Sequence, residues 1–286
     1  MATDRGIGHF ASDTVGASQS VLLELATTLR VYRDALVLVG GWVPYFLIRK
    51  YWGSRAHHVG SIDIDLAVDF RQVSEAEYRG IVALLRERGY SPKEDVSMPF
   101  EFIRAVPRDG GLGPVEIAVD FLSGEYGGTG RGHRHQRAGD LLARKARGCD
   151  VVFDHRWLLS LEGRLPLGAE AQCDLWVADL VGCLTTKGIA MASRYKEKDA
   201  YDIYMVISNH PRGPRGAAEE VAPSLSHPLV TEGLAGIRQH FASPQRTGPQ
   251  WVADFYGETA GEARDRRVTD AYMRVSEFLR VLGLDK

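Results

Sequence analysis

Two aspartates one residue apart, Asp63 and Asp65, alternate with Ile62, Ile64 and Leu66. On an extended strand this spacing puts both carboxylates on one face and the three aliphatic side chains on the other. Carboxylates held that close repel each other unless a cation lies between them. Hard divalent cations such as magnesium take carboxylate oxygens. The plainer alternative is two exposed acids on an edge strand. Upstream, the apolar run Leu36-Val37-Leu38-Val39 ends in Gly40-Gly41, and Ser61 stands two residues before Asp63. Glycines at a strand-to-helix turn let backbone N–H groups approach an anion, which a helix N-terminus also favours. A structural turn would use the same two residues.

Three further stretches carry chemistry-bearing residues. In Val115–Leu122, alternation sets Glu116, Ala118 and Asp120 opposite Val115, Ile117, Val119 and Phe121. Asp120 could complete a carboxylate triad with Asp63 and Asp65 or take a proton from an attacking hydroxyl, with Glu116 the weaker choice. A solvated strand face is the alternative. Next, Lys187 falls inside an apolar helical pattern formed by Leu180, Leu184, Ile189 and Met191, followed by Arg194, Lys198, Asp199 and Asp202. A lysine so placed either snorkels to water or serves a site. Capping accounts for Asp199 but not Asp202, since Tyr201, Ile203, Val206 and Ile207 form the packed face around it. Finally, Arg131 to Cys149 holds six basic residues, Arg131, Arg134, Arg137, Arg144, Lys145 and Arg147, against Asp140 alone, with His133 and His135 among them. Such a run is a solvated face or a phosphate contact.

The elements that must position these groups can be read in order. Residues 1–15 read as a loose arm. A helix is expected over Ser18–Arg33, a strand over Ala35–Val39, a helix over Trp42–Tyr51, a polar loop to Gly60 and a strand over Ser61–Phe70. Ser74-Glu75-Ala76-Glu77 is a capping box opening a helix that Gly89 closes. Phe100–Val106 and Val115–Leu122 read as a hairpin around turn residues 107–114. Short strands are expected at Val151–His155 and Trp157–Leu161. Past Pro166 the texture turns helical, with helices at Leu175–Ser193, Asp199–Asn209, Leu229–Phe241 and Asp265–Leu282 and a Pro/Gly/Ala-rich connector at Pro211–Pro228. The expected class is α+β: a mixed sheet with flanking helices over 1–165 and an all-helical part over 166–286.

The bulk numbers narrow the field. With 286 residues the chain can bury one large core or two modest ones. A net charge of −2 gives no global case for nucleic-acid binding, so any such case is local. No stretch reaches the unbroken apolar length of a membrane span, and the polar N-terminus lacks a signal peptide's basic and apolar regions. The three cysteines, Cys149, Cys173 and Cys183, form no CxxC pair and read as buried thiols of a cytoplasmic protein.

Gly40-Gly41 with Ser61-x-Asp63-x-Asp65 resembles the nucleotidyltransferase signature of the DNA polymerase β superfamily. The Gly40-Gly41-Trp42 opening is also similar to that of aminoglycoside nucleotidyltransferases. The run from Leu180 through Lys187 and Arg194 to Lys198-Asp199-Ala-Tyr-Asp202 is similar to motifs of AbiEii-type nucleotidyltransferase toxins, including the MenT group. The resemblance covers roughly Val37 to Ile207. The gap from Gly41 to Asp63 is longer than in the tightest form of the signature, and Gly41 replaces a common serine.

The resemblance implies a nucleotidyltransferase domain over 1–165, and a helical domain over 166–286 that brings Lys187 and Asp202 to the cleft. It implies magnesium, or manganese in its place, on Asp63, Asp65 and Asp120. Gly40, Gly41 and Ser61 would line the triphosphate, joined by Lys187, Arg194 and Lys198. Asp202 would orient Lys187. The expected reaction transfers a nucleotide from a nucleoside triphosphate to an RNA acceptor such as the tRNA 3′ end, in a toxin paired with a cognate antitoxin and away from membranes. Two rivals stand beside it: transfer to an aminoglycoside-type small molecule, and a binding module without chemistry. A phosphate on Ser61 would add about −1.5 to −2 charge beside the aspartates and oppose the triphosphate.

Overall fold

The structure, a computed structural model, describes residues 6–55, 57–93, 100–107, 113–125, 135–138 and 141–285, with residues 54, 135–138 and 141–145 described by backbone alone. The fold is α+β. Contacts divide it into two compact units. A sheet unit takes Ala11–Trp42 and Ser61–Ala178, and a helical unit takes Met1–Phe10, Val43–Gly60 and Asp179–Lys286.

The sheet unit is built on a mixed sheet of β1 (Leu36–Val39), β2 (Ile64–Val68), β3 (Tyr90–Pro92), β4 (Glu101–Val106), β5 (Val115–Ser123), β6 (His135–Ala138), β7 (Leu141–Lys145), β8 (Arg156–Arg164) and β9 (Glu170–Ala178). The main path runs β3-β4-β5-β2-β1-β9-β8, and β7 joins it on β5 with β6 beside it. Alternation explains β5: Val115, Ile117, Val119 and Phe121 are buried, while Glu116, Ala118 and Asp120 are more open. Phe121 meets Phe102 edge-on at 5.8 Å and Tyr78 at 6.2 Å. Tyr78 comes from α3 (Glu75–Glu87), which starts at the expected capping box and ends where Gly89, at φ +82°, reverses the chain. The first helix, α1 (Ser12–Thr28), sends Glu24 to Arg104 of β4 (2.9 and 3.1 Å) and accepts the Tyr90 hydroxyl (2.8 Å). It starts well before Ser18, and a 3-10 turn at Arg30–Ala35 leads into β1.

The helical unit holds most of α2 (Trp42–Trp52) together with α4 (Leu180–Ser193), α5 (Glu197–Ser208), α6 (Gly213–Val221), α7 (Pro228–His240), α8 (Thr247–Phe255) and α9 (Glu262–Val281). Helices α4 and α7 touch backbone to backbone. A methyl at Gly188 would lie 2.0 Å from the Gly233 carbonyl oxygen, and one at Gly236 would lie 2.4 Å from that of Gly188. Among the described residues no helix is long and apolar enough to cross a membrane.

Several expectations are corrected. Val151–His155 is not a strand; Val151–Phe153 is a 3-10 turn whose three residues are all buried. A short apolar run fits either state until tertiary packing decides. The helix expected from Leu175 begins at Leu180. Residues to Ala178 form β9, which pairs with β8 from Arg156↔Ala178 to Arg164↔Glu170. Asp179 then caps α4 by accepting the Gly182 N–H at 3.0 Å. Pro166 therefore falls between two paired strands. The connector at Pro211–Pro228 contains α6, where Gly216, Ala217 and Ala218 are buried, so small residues serve close packing there. Helix α8 has no counterpart in the sequence reading.

Candidate functional site

Each unit carries one group of chemistry-bearing side chains. In the sheet unit, β1 and β2 run antiparallel with Val39 opposite Asp65. β2 and β5 run parallel with Asp65 opposite Asp120, and β5 opposes β4 with Asp120 across from Glu101. Register partners share a face, and neighbouring strands lie about 4.8 Å apart. Asp65, Asp120 and Glu101 thus form one row of half-buried acids. Glu101 is also paired with Lys93 at 2.7 Å. Asp63 lies in the bend just before β2 and is half-buried; Ser61 is buried. The strand expected over Ser61–Phe70 pairs only at Ile64–Val68.

Gly40 closes β1 at φ +70°, and a methyl on it would lie 2.0 Å from Oδ2 of Asp65. The Asp65 carboxylate therefore occupies the space a side chain at position 40 would need. Gly41 follows in the same turn, half-buried. Cys149 is buried nearby: burial first, then the charges of Asp65 and Asp150, push its thiol far above the usual range. Asp150 also accepts the Glu125 N–H at 2.9 Å just past β5.

The donors in this row are all carboxylates, the set that suits a hard cation. Among the described residues no three of His, Cys, Asp and Glu group as a metal cage. Magnesium usually binds through one or two carboxylates and fills its remaining positions with water and substrate phosphate. Asp65 and Asp120, register partners on adjacent strands, are a pair of the size that this mode uses.

In the helical unit, Lys187 of α4 donates to Asp199 (2.9 Å) and Asp202 (2.6 Å) of α5. Lys198 donates to both oxygens of Asp202 at 2.9 and 3.0 Å, and Arg194 grips Asp199 at 2.9 and 3.2 Å. His58 is 3.0 Å from Asp202 through Nε2, and its Nδ1 accepts the Gly60 N–H at 3.1 Å. An accepting Nδ1 fixes the proton on Nε2, so a neutral ring donates to Asp202. Burial first, with the charges of Lys198 and Lys187, lowers His58 to about 4 against the pull of Asp202.

Burial alone would raise the Asp202 carboxyl. Lys187, Lys198 and the His58 bond outweigh it and hold the group well below the carboxylate range. Burial would lower Lys187, but Asp199 and Asp202 raise it above the lysine range. Lys198 stays lowered, by burial and by Lys187, despite Asp202. Three cations thus share two carboxylates, with His58 neutral. The two lysines are 5% exposed, whereas the Arg194 side chain is 48% exposed. The two buried lysines balance the two buried carboxylates, and the third cation, Arg194, is the one that reaches water.

Of the residues singled out in the sequence, Lys187, Arg194, Lys198, Asp199 and Asp202 come together in one cluster. Gly40, Asp65 and Asp120 come together on the sheet, with Asp63 and Ser61 leading into β2. The basic segment is described only in part. Arg131, His133, Arg134 and Asp140 lie outside the described residues, as do residues 108–112 of the expected turn and 1–5 of the expected arm. Arg147 pairs with Glu125.

Sequence reasoning missed His58 and Glu101, and it counted Asp199 in the run from Lys187 to Asp202 with helix capping as the plainer explanation. Lys196, not Asp199, is the N-cap of α5. The signal for Asp199 was its spacing of three from Asp202, one face of a helix. His57-His58 in a polar loop gave no signal, and Glu101 depends on a strand register that no local pattern shows. All three cysteines are free thiols, Cys149 and Cys183 buried and Cys173 partly so. No family model matches the chain, and no curated protein shows significant similarity to it.

Proposed function

We propose that the protein is a magnesium-dependent nucleotidyltransferase of the polymerase β-like kind. In this reading it is a toxin of the AbiEii/MenT type that moves a nucleotide from a nucleoside triphosphate to an RNA acceptor such as the tRNA 3′ end, and is restrained by a cognate antitoxin. The observation that carries the reading is Asp65 in register with Asp120, its carboxylate set over the Gly40 turn. A carboxylate pair beside a backbone turn is the combination that metal-assisted phosphoryl chemistry requires.

In the reaction, an acceptor hydroxyl attacks the α-phosphorus. A new O–P bond forms, the bridge to the β-phosphate breaks, and pyrophosphate leaves. Magnesium bound by Asp63, Asp65 and Asp120 would supply charge stabilisation to the attacking and leaving oxygens. Asp120 would take the hydroxyl proton. The backbone N–H groups of the Gly40-Gly41 turn and the Ser61 hydroxyl would hold phosphate oxygens. Lys187 and Lys198 already hold carboxylates, so their charge is committed within the helical unit. In the helical unit, Asp199 fixes the plane of the half-exposed Arg194 guanidinium.

The test is incubation with labelled nucleoside triphosphates, magnesium and total tRNA, with an aminoglycoside in a parallel arm. Label on tRNA that vanishes in Asp63→Ala supports the reading. Label on the aminoglycoside alone favours the small-molecule rival, which the net charge of −2 suits. No transfer in either arm removes the enzymatic reading.

A further inference from the structure

Between α4 and α5 the chain runs Arg194-Tyr195-Lys196, and Tyr195 is 87% exposed. It is not a loose side chain on the surface. Its ring meets Trp251 of α8 edge-on, at 5.7 Å and 74°. Trp251 is backed by His240 of α7, stacked at 5.8 Å and 23°, and His240 Nδ1 is 2.6 Å from the Thr247 hydroxyl. The phenol is thus held at its edge by a braced indole, with much of its surface open to water. Beside it, Arg194 is fixed through Nε and Nη2 on Asp199. Lys196 follows in the chain.

We propose that Tyr195 is a stacking platform for an unpaired base of single-stranded RNA, with Arg194 and Lys196 on the adjoining phosphates. Every base has a π-face, and an open aromatic ring beside cations is the arrangement that binds single strands without reading their sequence. The ring lies on open surface rather than in an enclosed pocket, which suits a strand passing over it better than a lone mononucleotide. Basic residues precede and follow Tyr195 in the chain, which favours RNA over an apolar protein face. The inference rests on the nucleotidyl-transfer reading, because it names the acceptor's contact.

The experiment measures binding of a fluorescent, unstructured oligoribonucleotide by anisotropy, apart from any turnover. Tyr195→Ala should raise the dissociation constant about tenfold, and Tyr195→Phe should leave it within about twofold. The stabilisation of the protein by ATP with magnesium should be equal in all three forms. Equal RNA affinity in Tyr195→Ala and wild type overturns the platform, as does wild-type protein that binds no oligoribonucleotide. Loss of self-association in Tyr195→Ala with RNA affinity unchanged overturns it in favour of a protein interface. A wild type that binds RNA through Tyr195 yet labels no acceptor keeps the platform and sinks the transfer reading. Transfer that persists with equal RNA affinity in the variant does the reverse.

Discussion

The Asp65 carboxylate stands where a side chain of Gly40 would be: its Oδ2 is 2.0 Å from the position of a methyl on that glycine. Gly40 is therefore held by two demands, φ of +70° and the space for Asp65. Gly257 meets only the first, with φ +75° and nothing within 4 Å. Gly40→Ala should cost about 1–3 kcal/mol of stability and displace Asp65, whereas Gly257→Ala should carry the backbone cost alone, about 1 kcal/mol. Denaturant titration of both variants, with and without magnesium, checks this. Equal losses, with the magnesium response retained in Gly40→Ala, would show that Asp65 yields without consequence.

Asp65 and Asp120 are like charges in register on adjacent strands. In chelator, Asp120→Asn should stabilise the protein by up to about 1 kcal/mol by relieving that repulsion. In magnesium the order should reverse, because wild type gains stability by binding the ion and the variant gains less. Melting curves in EDTA and in millimolar magnesium decide it. A wild type indifferent to magnesium would count against the metal assignment.

The charge balance of the helical cluster makes two substitutions unequal. Asp202→Asn leaves Lys187, Lys198 and Arg194 against Asp199 alone, and should cost about 3–5 kcal/mol. Lys187→Met leaves two cations on two carboxylates and should cost clearly less. Urea unfolding of both variants measures the difference. A larger loss in Lys187→Met would refute the account of a cationic surplus.

Acid should weaken the helical unit early. His58 is held to about 4 in the fold against an ordinary 6.5. Between those values the unfolded chain binds a proton that the fold refuses, so stability falls as pH drops from about 6.5 to 4. The span corresponds to roughly 3 kcal/mol. Asp199 and Asp202 are depressed groups, so what they contribute is present above about pH 4 and is lost below it. His58→Gln should flatten the upper part of this profile and leave the lower part. A profile flat from pH 6.5 to 4 in wild type would mean that His58 is not held neutral.

Local chemistry was legible wherever it was decided within a few residues. Ser74 and Glu77 announced a helix start, Gly89 its end, and the alternation of β5 its buried face. The Asp63/Asp65 pair and the acids following Lys187 were visible for the same reason. What depended on partners far along the chain was not. The end of β9, Leu175 to Ala178, reads as helix because its apolar residues fit both periods until β8 supplies a ladder. Gly216, Ala217 and Ala218 looked like linker because their smallness serves packing as well as flexibility. His58 lies 144 residues from Asp202, and no spacing rule reaches that far.

The backbone contact between α4 and α7 fixes more than a packing angle. Gly188 lies against Gly233 and Gly236, and Gly233 against Thr185, with Lys187 in the same stretch of α4. At Gly188 and Gly233 the nearest atoms across the contact are backbone, so no side chain there can be trimmed, and the one that faces Gly236 is the methyl of Ala192. A change at one of these glycines has no compensating change at the others, because there is nothing left to make smaller. Inheritance can therefore drift around the lysine only on the faces of α4 that turn away from α7. A library randomised at Gly188, Gly233 and Gly236 should return small residues almost exclusively, even when selected for folding alone.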